Sequence, residues 1–432
     1  MIKSLLPLTA LLMGSAFLVF AGGVNGLILP IRGEAEGFTA ASLGLLGTGW
    51  AVGYVAGCLR TPVLVARVGH IRAFGAMCSI AAIAVLLSLL LITPWVWIPV
   101  RALSGFCFAG AAMIVESWLN ERSDAKSRGR VFGIYTMVNL AATTAGQMVL
   151  TLGDATGFLF FVLAAMVYCM ALLPTAISAT TTPRPLTKVS LDLRKLWRNS
   201  PIAVFAVLMV GVSNASFGTL AAVYGARIGL SLADIALFAS LPILAGAASQ
   251  IPVGIASDRF DRRKVLIAVA VVAILTDSLF LFTGPRQPGV VLALAGMFGA
   301  TVFAMYPLIV AHANDHAEPG AFIQVSGGLL LVYGIGSIFG PTMAGFAMTS
   351  FDETMLFAVT GGAHVLLVLF ALLRLRIAPA VSSADKVVFQ AKPLARASTP
   401  ETVALAANQA VLDAEQPQTR SKDHERLQEG RE

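Results

Sequence analysis

Twelve apolar runs of about 20 residues divide this chain, at roughly 6–30, 43–65, 73–93, 95–118, 131–150, 157–178, 201–226, 233–256, 265–284, 288–311, 324–349 and 355–375. Coiled as a helix, a run of that length spans the hydrocarbon of a bilayer and satisfies its own backbone polar groups there. The apolar residues fill each run instead of marking one face, and the short alternating segments of a β-barrel do not occur. Charged residues make up 12% of the 432 residues, about half the share of a soluble domain, and most of them lie between the runs. The expected fold class is an all-α integral membrane protein with twelve transmembrane helices.

The loops suggest an orientation. Alternate loops hold Arg67 and Arg72; Arg122, Lys126, Arg128 and Arg130; Arg184, Lys188, Arg194, Lys195 and Arg198; and Arg259, Arg262, Arg263 and Lys264. The loops on the other side hold only Arg32, Arg227 and Arg286. Fifteen cations against three predict that both termini are cytoplasmic. The net charge of +7 is therefore a mark of topology; without aromatic-basic interleaving, no nucleic-acid partner is expected.

The chain also repeats. Gly-Gly-Val-Asn25-Gly in the first run is matched by Gly-Val-Ser-Asn214-Ala in the seventh. Phe108-Ala-Gly in the fourth is matched by Phe298-Gly-Ala in the tenth. The organisation read from this is a six-helix half over 1–178, a cytoplasmic linker over 179–200, a second half over 201–376, and a polar, disordered cytoplasmic tail over 377–432 with a short helix near 400–414. Two pseudo-symmetric six-helix halves imply a midplane site between them.

Gly254-Ile-Ala-Ser-Asp258-Arg259-Phe-Asp261-Arg262-Arg263-Lys264 is a dense charged turn pinned between two spans. It resembles the loop signature of the major facilitator superfamily, Gly-x-x-x-Asp-Arg-x-Gly-Arg-Arg/Lys, with Asp261 where the second Gly is usual. Arg101-Ala-Leu-Ser-Gly105 resembles the same family's Arg-x-x-x-Gly in the fourth helix. With Glu116-Ser-Trp, Arg128-Gly-Arg130, Tyr306-Pro and Gly340-Pro341, residues 1–376 look most like the bacterial YcaD-like permeases of that family. The resemblance implies a major facilitator fold working as a monomer in the bacterial inner (plasma) membrane. It further implies that Gly254, Asp258, Arg259, Arg262, Arg263 and Lys264 form a conformational latch. Asp258 would pair across the halves with cations near Arg128 and Arg130, or cap the fifth span. In the first half Ala66 replaces the matching acid.

An ionisable group inside a span marks a functional candidate. Arg101 is the sharpest: the resemblance implies a cavity-facing cation linked to proton coupling or to an anionic substrate, the alternative being a snorkel to the headgroups. Glu116 is read as a gate acid pairing with Arg122, Arg128 or Arg130, ahead of a proton carrier. Asn25, Asn139, Gln147, Asn214, Tyr224 and Tyr306, with Arg227, are candidate substrate contacts; each could equally bond a neighbouring helix. The small residues and Pro341 of the eleventh run are read as packing. Asp277 and His364 are read as local pairs or interfacial groups, and His312 and His316 as a solvated loop. Cys58, Cys78, Cys107 and Cys169 are read as small buried hydrophobes, and no metal-ligand spacing occurs.

The partners expected are a small-molecule substrate, protons and the lipid bilayer; no cofactor and no metal is expected. No phosphate-binding Gly-x-x-x-x-Gly-Lys-Ser/Thr occurs, so a nucleotide is not the energy source. A membrane enzyme lacks clustered nucleophiles, bases or metal ligands. The function expected is a secondary active transporter, a proton-coupled permease or symporter working by alternating access. A multidrug efflux antiporter of the same fold stays open as the alternative, as does a receptor that binds without transporting.

Overall fold

The computed structural model describes residues 2–123, 128–177, 192–318, 321–377, 386–393, 395 and 398–403. Among them are thirteen α-helices. The first half holds α1 (Ile2–Ala35), α2 (Ala40–Val68), α3 (His70–Leu90), α4 (Pro94–Arg122), α5 (Arg128–Met148) and α6 (Leu159–Ile177). A short α7 (Leu193–Asn199) precedes the second half, which holds α8 (Pro201–Arg227), α9 (Leu232–Arg259), α10 (Arg262–Thr283), α11 (Pro288–Asn314), α12 (Phe322–Ser350) and α13 (Met355–Ile377).

Local chemistry sets where the helices break. Pro opens α4, α8 and α11, where its missing N–H is no loss. Thr39, Ser231 and Asp261 cap α2, α9 and α10 by accepting from the backbone N–H of Ser42, Asp234 and Arg263. Gly69 alone joins α2 to α3, at φ 82°, a backbone that L side chains rarely adopt.

Eleven of the long helices are apolar enough to cross a membrane. The twelfth, α5, matches them in length but carries Thr136, Asn139, Thr143, Thr144 and Gln147. Its polarity has a cause in the fold, since Thr143 and Gln147 face the interior of the bundle.

The two halves pack alike. In the first, α1 lies on α5 and α6, α2 on α4, and α3 on α4 and α6. In the second, α8 lies on α12 and α13, α9 on α11, and α10 on α11 and α13. Each of these contacts of the second half repeats one of the first, in helix order. The α2–α4 crossing is close because Gly53 lies on the Ala102 backbone and Gly105 on the Trp50 backbone. On α12, Gly336 and Gly340 seat on α8, which accounts for the small-residue run around Pro341 as packing.

The halves meet through α2 and α12, α1 and α8, α2 and α8, and α5 and α9. The join is tightest at the end away from the basic loops. There Gly44 lies on the Pro341 backbone and Gly345 on Ala40. Thr48 Oγ1 lies 2.6 Å from Thr342 Oγ1, and Ala41 N donates to Thr349 Oγ1 at 2.8 Å. Arg227 Nε donates to Glu34 Oε1 at 2.9 Å across the same seam. Toward the basic loops the halves separate and enclose a cavity.

The sequence places a disordered tail beyond 377. The described part of that tail, 386–393, 395 and 398–403, instead packs against the bundle. The helix expected near 400–414 is described only to Val403, and residues 404–432, 178–191, Lys126 and the side chain of Arg128 lie outside the described residues.

Candidate functional site

Between the halves lie two contiguous recesses of about 270 Å³ and about 130 Å³. Gly26, Pro30, Trp50, Arg101, Gly218 and Thr219 belong to the walls of both. The walls are mostly apolar, with a few polar groups converging on the space, which is the composition of a small-molecule site.

Arg101 is buried on α4 and faces both recesses. Its place follows from the α2–α4 crossing: Gly105, one turn on, seats against Trp50 and turns the Arg101 face inward. The cation does not snorkel to the headgroups. Trp50, Tyr54 and Phe108 form an aromatic cluster beside it, with ring centroids 4.9 to 6.4 Å apart. Across the smaller recess stand Thr143 and Gln147 of α5, Tyr168 of α6 and Asn214 of α8. Gln147 Oε1 and Asn214 Oδ1 are buried with no partner among the described residues. The described walls hold no Asp or Glu.

Glu116 is buried four turns along α4, outside both walls. Among the described residues, three hydroxyls meet it. Tyr135 donates to Oε1 at 2.9 Å, Thr402 donates to Oε1 at 2.6 Å, and Thr399 donates to Oε2.

The other expected contacts divide. Gln147 and Asn214 reach the cavity. Asn25 is buried on α1 next to Gly26 but outside the walls, and Asn139 accepts from Ser15 Oγ at 2.8 Å, tying α5 to α1. Tyr224 lies in an aromatic cluster with Phe238, Phe280 and Phe357, away from the cavity. Tyr306 packs on Tyr333, which does line the wall. Arg227 joins the seam through Glu34. Trp50, Tyr54, Thr143, Thr219 and Ser337 are wall residues that sequence reasoning missed; as ordinary members of apolar runs they carry no signal of which face turns inward.

In the charged turn, Arg262 is nearly fully buried. It donates to Asp315 Oδ2 at 2.7 Å and to Ser257 Oγ at 2.9 Å, and lies 3.2 Å from Asp258. Arg263 pairs with Asp261 at 2.8 Å. Arg130, Arg259 and Lys264 are exposed. The Asp258 carboxylate accepts from Phe389 N at 3.2 Å, so among the described residues its partners are Arg262 and the tail.

Elsewhere, Asp277 and His364 do pair: Asp277 Oδ2 lies 2.7 Å from His364 Nδ1, and Thr360 donates to Oδ1 at 2.7 Å. The cluster lies between α10 and α13, away from the cavity. His312 is buried in the last turn of α11, contrary to the solvated loop expected for it; His316 Nδ1 lies 2.9 Å from its carbonyl oxygen. Cys78 and Cys107 are buried, Cys58 lines the larger recess, and Cys169 is exposed on α6. No cluster of metal-ligating side chains occurs among the described residues.

Comparison with known proteins agrees with this architecture. The chain is 26% identical over 372 residues to the uncharacterized MFS-type transporter YcaD of Salmonella arizonae, covering 85% of this chain and 95% of that protein. The YcaD protein of an Escherichia coli strain is 25% identical over 375 residues, with the same coverage. Among solved structures, the nucleoside transporter NupG superposes with a TM-score of 0.73 at 15% identity, over 85% of this chain and 98% of that one. The D-xylose-proton symporter gives 0.62 at 16% identity, over 88% and 99%. The family profile of the Major Facilitator Superfamily matches residues 11–249, the first half and the start of the second, and again 203–412, the second half and part of the tail. A doubled six-helix bundle with a central cavity and a twice-matched profile place the chain in the Major Facilitator Superfamily, to which it belongs.

Proposed function

We propose that the protein is a secondary active transporter that moves a small anionic or polar metabolite by rocking its two halves about the cavity. The observation that carries this is Arg101, a buried cation facing both recesses beside stacking aromatics. A carboxylate or phosphate on the solute pairs with the guanidinium, the solute's apolar body lies on Trp50 and Tyr54, and Gln147 and Asn214 supply hydrogen bonds. A buried Arg in a wall whose described residues include no Asp or Glu repels cationic drugs, so this reading stands ahead of multidrug efflux. The basic loops support a plasma-membrane carrier with both termini in the cytoplasm. On that orientation the described state is closed to the outside. The charged turn at Asp258 serves as the latch of the opposite state, and Glu116 as the proton-coupling acid of a monomeric carrier.

The test is thermal stability of purified protein against small organic anions, sugars, amino acids and cationic amphiphiles at two pH values. A ligand at 100 times its Kd adds about 2.7 kcal/mol. Stabilisation by an organic anion that survives in Arg101→Lys and vanishes in Arg101→Ala supports the reading. Stabilisation by cationic amphiphiles alone, indifferent to Arg101→Ala, overturns it in favour of efflux. Uptake into vesicles that ignores an imposed pH gradient removes the proton.

A further inference from the structure

At the end of the bundle that carries the basic loops, the mouth of the cavity is filled by the chain's own tail. Lys386 Nζ donates to the carbonyls of Ser257, Asp258 and Phe260, the last at 2.6 Å, where α9 ends. Val387 N donates to Asp315 Oδ1 at 3.0 Å, and Arg262 donates to the Val387 carbonyl. Phe389 N donates to Asp258, and the Phe389 ring lies on Gly254, where any Cβ would meet it. Gln250 then holds Lys392 by both amide atoms: Lys392 N donates to Oε1 at 2.9 Å and Nε2 donates to Lys392 O at 3.1 Å. All of these contacts are to the second half.

The segment then crosses to the first half. Tyr54 Oη donates to Ser398 O at 2.9 Å. Thr399 and Thr402 both donate to Glu116, while Ala395 and Pro400 form part of the wall of the larger recess. Thr399, Glu401, Thr402 and Val403 are buried. The bundle side of this interface reads an extended backbone on one half and two hydroxyls on the other. That is the chemistry of a peptide groove, not of a surface loosely covered by a tail.

We propose that the cavity mouth is a binding groove for an extended peptide and that residues 386–393, 395 and 398–403 are its ligand, a plug that bars the cavity from the basic end and ties the halves together in the state closed at the other end. The function of the plug rests on the reading of the cavity as a solute path; the groove does not. The plug also holds Asp258 through Phe389 N, so docking and any contact of Asp258 with the opposite half exclude each other. A carrier with the plug seated can neither pass solute at that mouth nor rock to the other state.

Cys58, in the wall of the recess behind the plug, is a built-in reporter. The full chain carrying Cys169→Ser is treated in detergent with a water-soluble methanethiosulfonate, and modification of Cys58 is timed by mass spectrometry. The Thr399→Val, Thr402→Val double variant loses both hydroxyl bonds to a carboxylate, and Phe389→Ser loses the ring on Gly254. Cys58 is expected to react about tenfold faster or more in each, the factor for loss of a charge-assisted hydrogen bond. A synthetic peptide of residues 386–403 should slow it again. Buried Cys78 and Cys107 should stay unreactive. A Cys58 rate unchanged in both variants overturns the plug. If the double variant also exposes Cys78 and Cys107, Phe389→Ser decides: rescue by the peptide supports the groove, and a rate the peptide does not alter overturns it. Because Cys58 reports access and not transport, a chain that moves no solute leaves the result intact, and the two readings fail separately.

Discussion

Two glycines make a matched test of how the halves are joined. A Cβ at Gly44 would press on the Pro341 carbonyl, and a Cβ at Gly105 would press to the same degree on the Trp50 carbonyl. Both neighbours are backbone and cannot rotate away. The difference lies in what is joined: Gly44 sits between α2 and α12, in different halves, whereas Gly105 sits between α4 and α2, inside one half. Overpacking of this size costs about 1–3 kcal/mol. In Gly105→Ala the strain stays inside the half and lowers the folding stability by about that amount. In Gly44→Ala the strain exists only while the seam is closed, so it is relieved by opening. That shifts the equilibrium toward the state open at that end by about 5- to 150-fold. Spin labels at Glu36 and Phe351, on either side of the seam, read the outcome as a distance distribution by electron paramagnetic resonance. Gly44→Ala should add a longer population that Gly105→Ala lacks. A single short distance in Gly44→Ala, or the same long population in both variants, would refute the assignment of the seam as a rocking contact.

Two further outcomes follow from buried ionisable groups. Burial, and then the Glu116 carboxylate beside it, pushes Glu401 up to about 7 in the docked tail, while burial lowers Lys392 to about 8. A group whose pKa is raised on docking favours docking at low pH and loses that contribution as pH rises through the docked value. Lys392 adds pH dependence only above about 8, so between pH 5 and 7 the facing carboxyls Glu401 and Glu116 govern together. Docking should weaken by up to about tenfold per pH unit there for each carboxyl released, read as Cys58 labelling normalised to free cysteine, and Glu401→Gln should reduce the slope by the share of Glu401. In Asp277→Ala, loss of the carboxylate between Thr360 and His364 should cost about 3–5 kcal/mol of stability, seen as a lowered Tm, with ligand binding at the Arg101 cavity unchanged at temperatures where the protein stays folded.

The fold was legible because the bilayer imposes a crude rule: about 20 apolar residues per crossing. Even α5 obeyed it in length, and its polar residues pointed correctly to the interior at Gln147. What a run of apolar residues does not encode is which face turns inward. Tyr224 and Gln147 look alike as polar interruptions of a span, yet one sits in an aromatic cluster and the other on the cavity wall. Pairing across the fold was equally hidden. Asp277 and His364 are 87 residues apart, and nothing local to either names the other. The docking of the tail's described part was hidden for a different reason. Its composition is polar and nearly charge-balanced, which reads as disorder, but the bundle holds Val387, Phe389, Lys392 and Ser398 largely by their backbone atoms. Backbone atoms are common to every residue, so such a ligand leaves little mark on a sequence.

The one departure of the charged turn from its family pattern has a physical consequence. Asp261, where Gly is usual, accepts from Arg263 N at 3.0 Å and pairs with the Arg263 guanidinium, so it caps α10 and neutralises a cation at once. Arg262 is taken by Asp315 within the same half. Two of the turn's buried cations are thus satisfied locally, and Asp258, partly exposed and with Arg262 as its cation partner among the described residues, keeps an acceptor open for a donor from elsewhere. In this state the donor is Phe389 N of the tail. If the turn acts as the proposed latch between halves, it can exchange one partner for another without unpairing a buried charge. Under the proposed plug, exchange of that kind would let a short peptide segment govern the motion of two six-helix bodies, because the cost of switching would fall on a single partly exposed carboxylate and not on the packed cations beneath it.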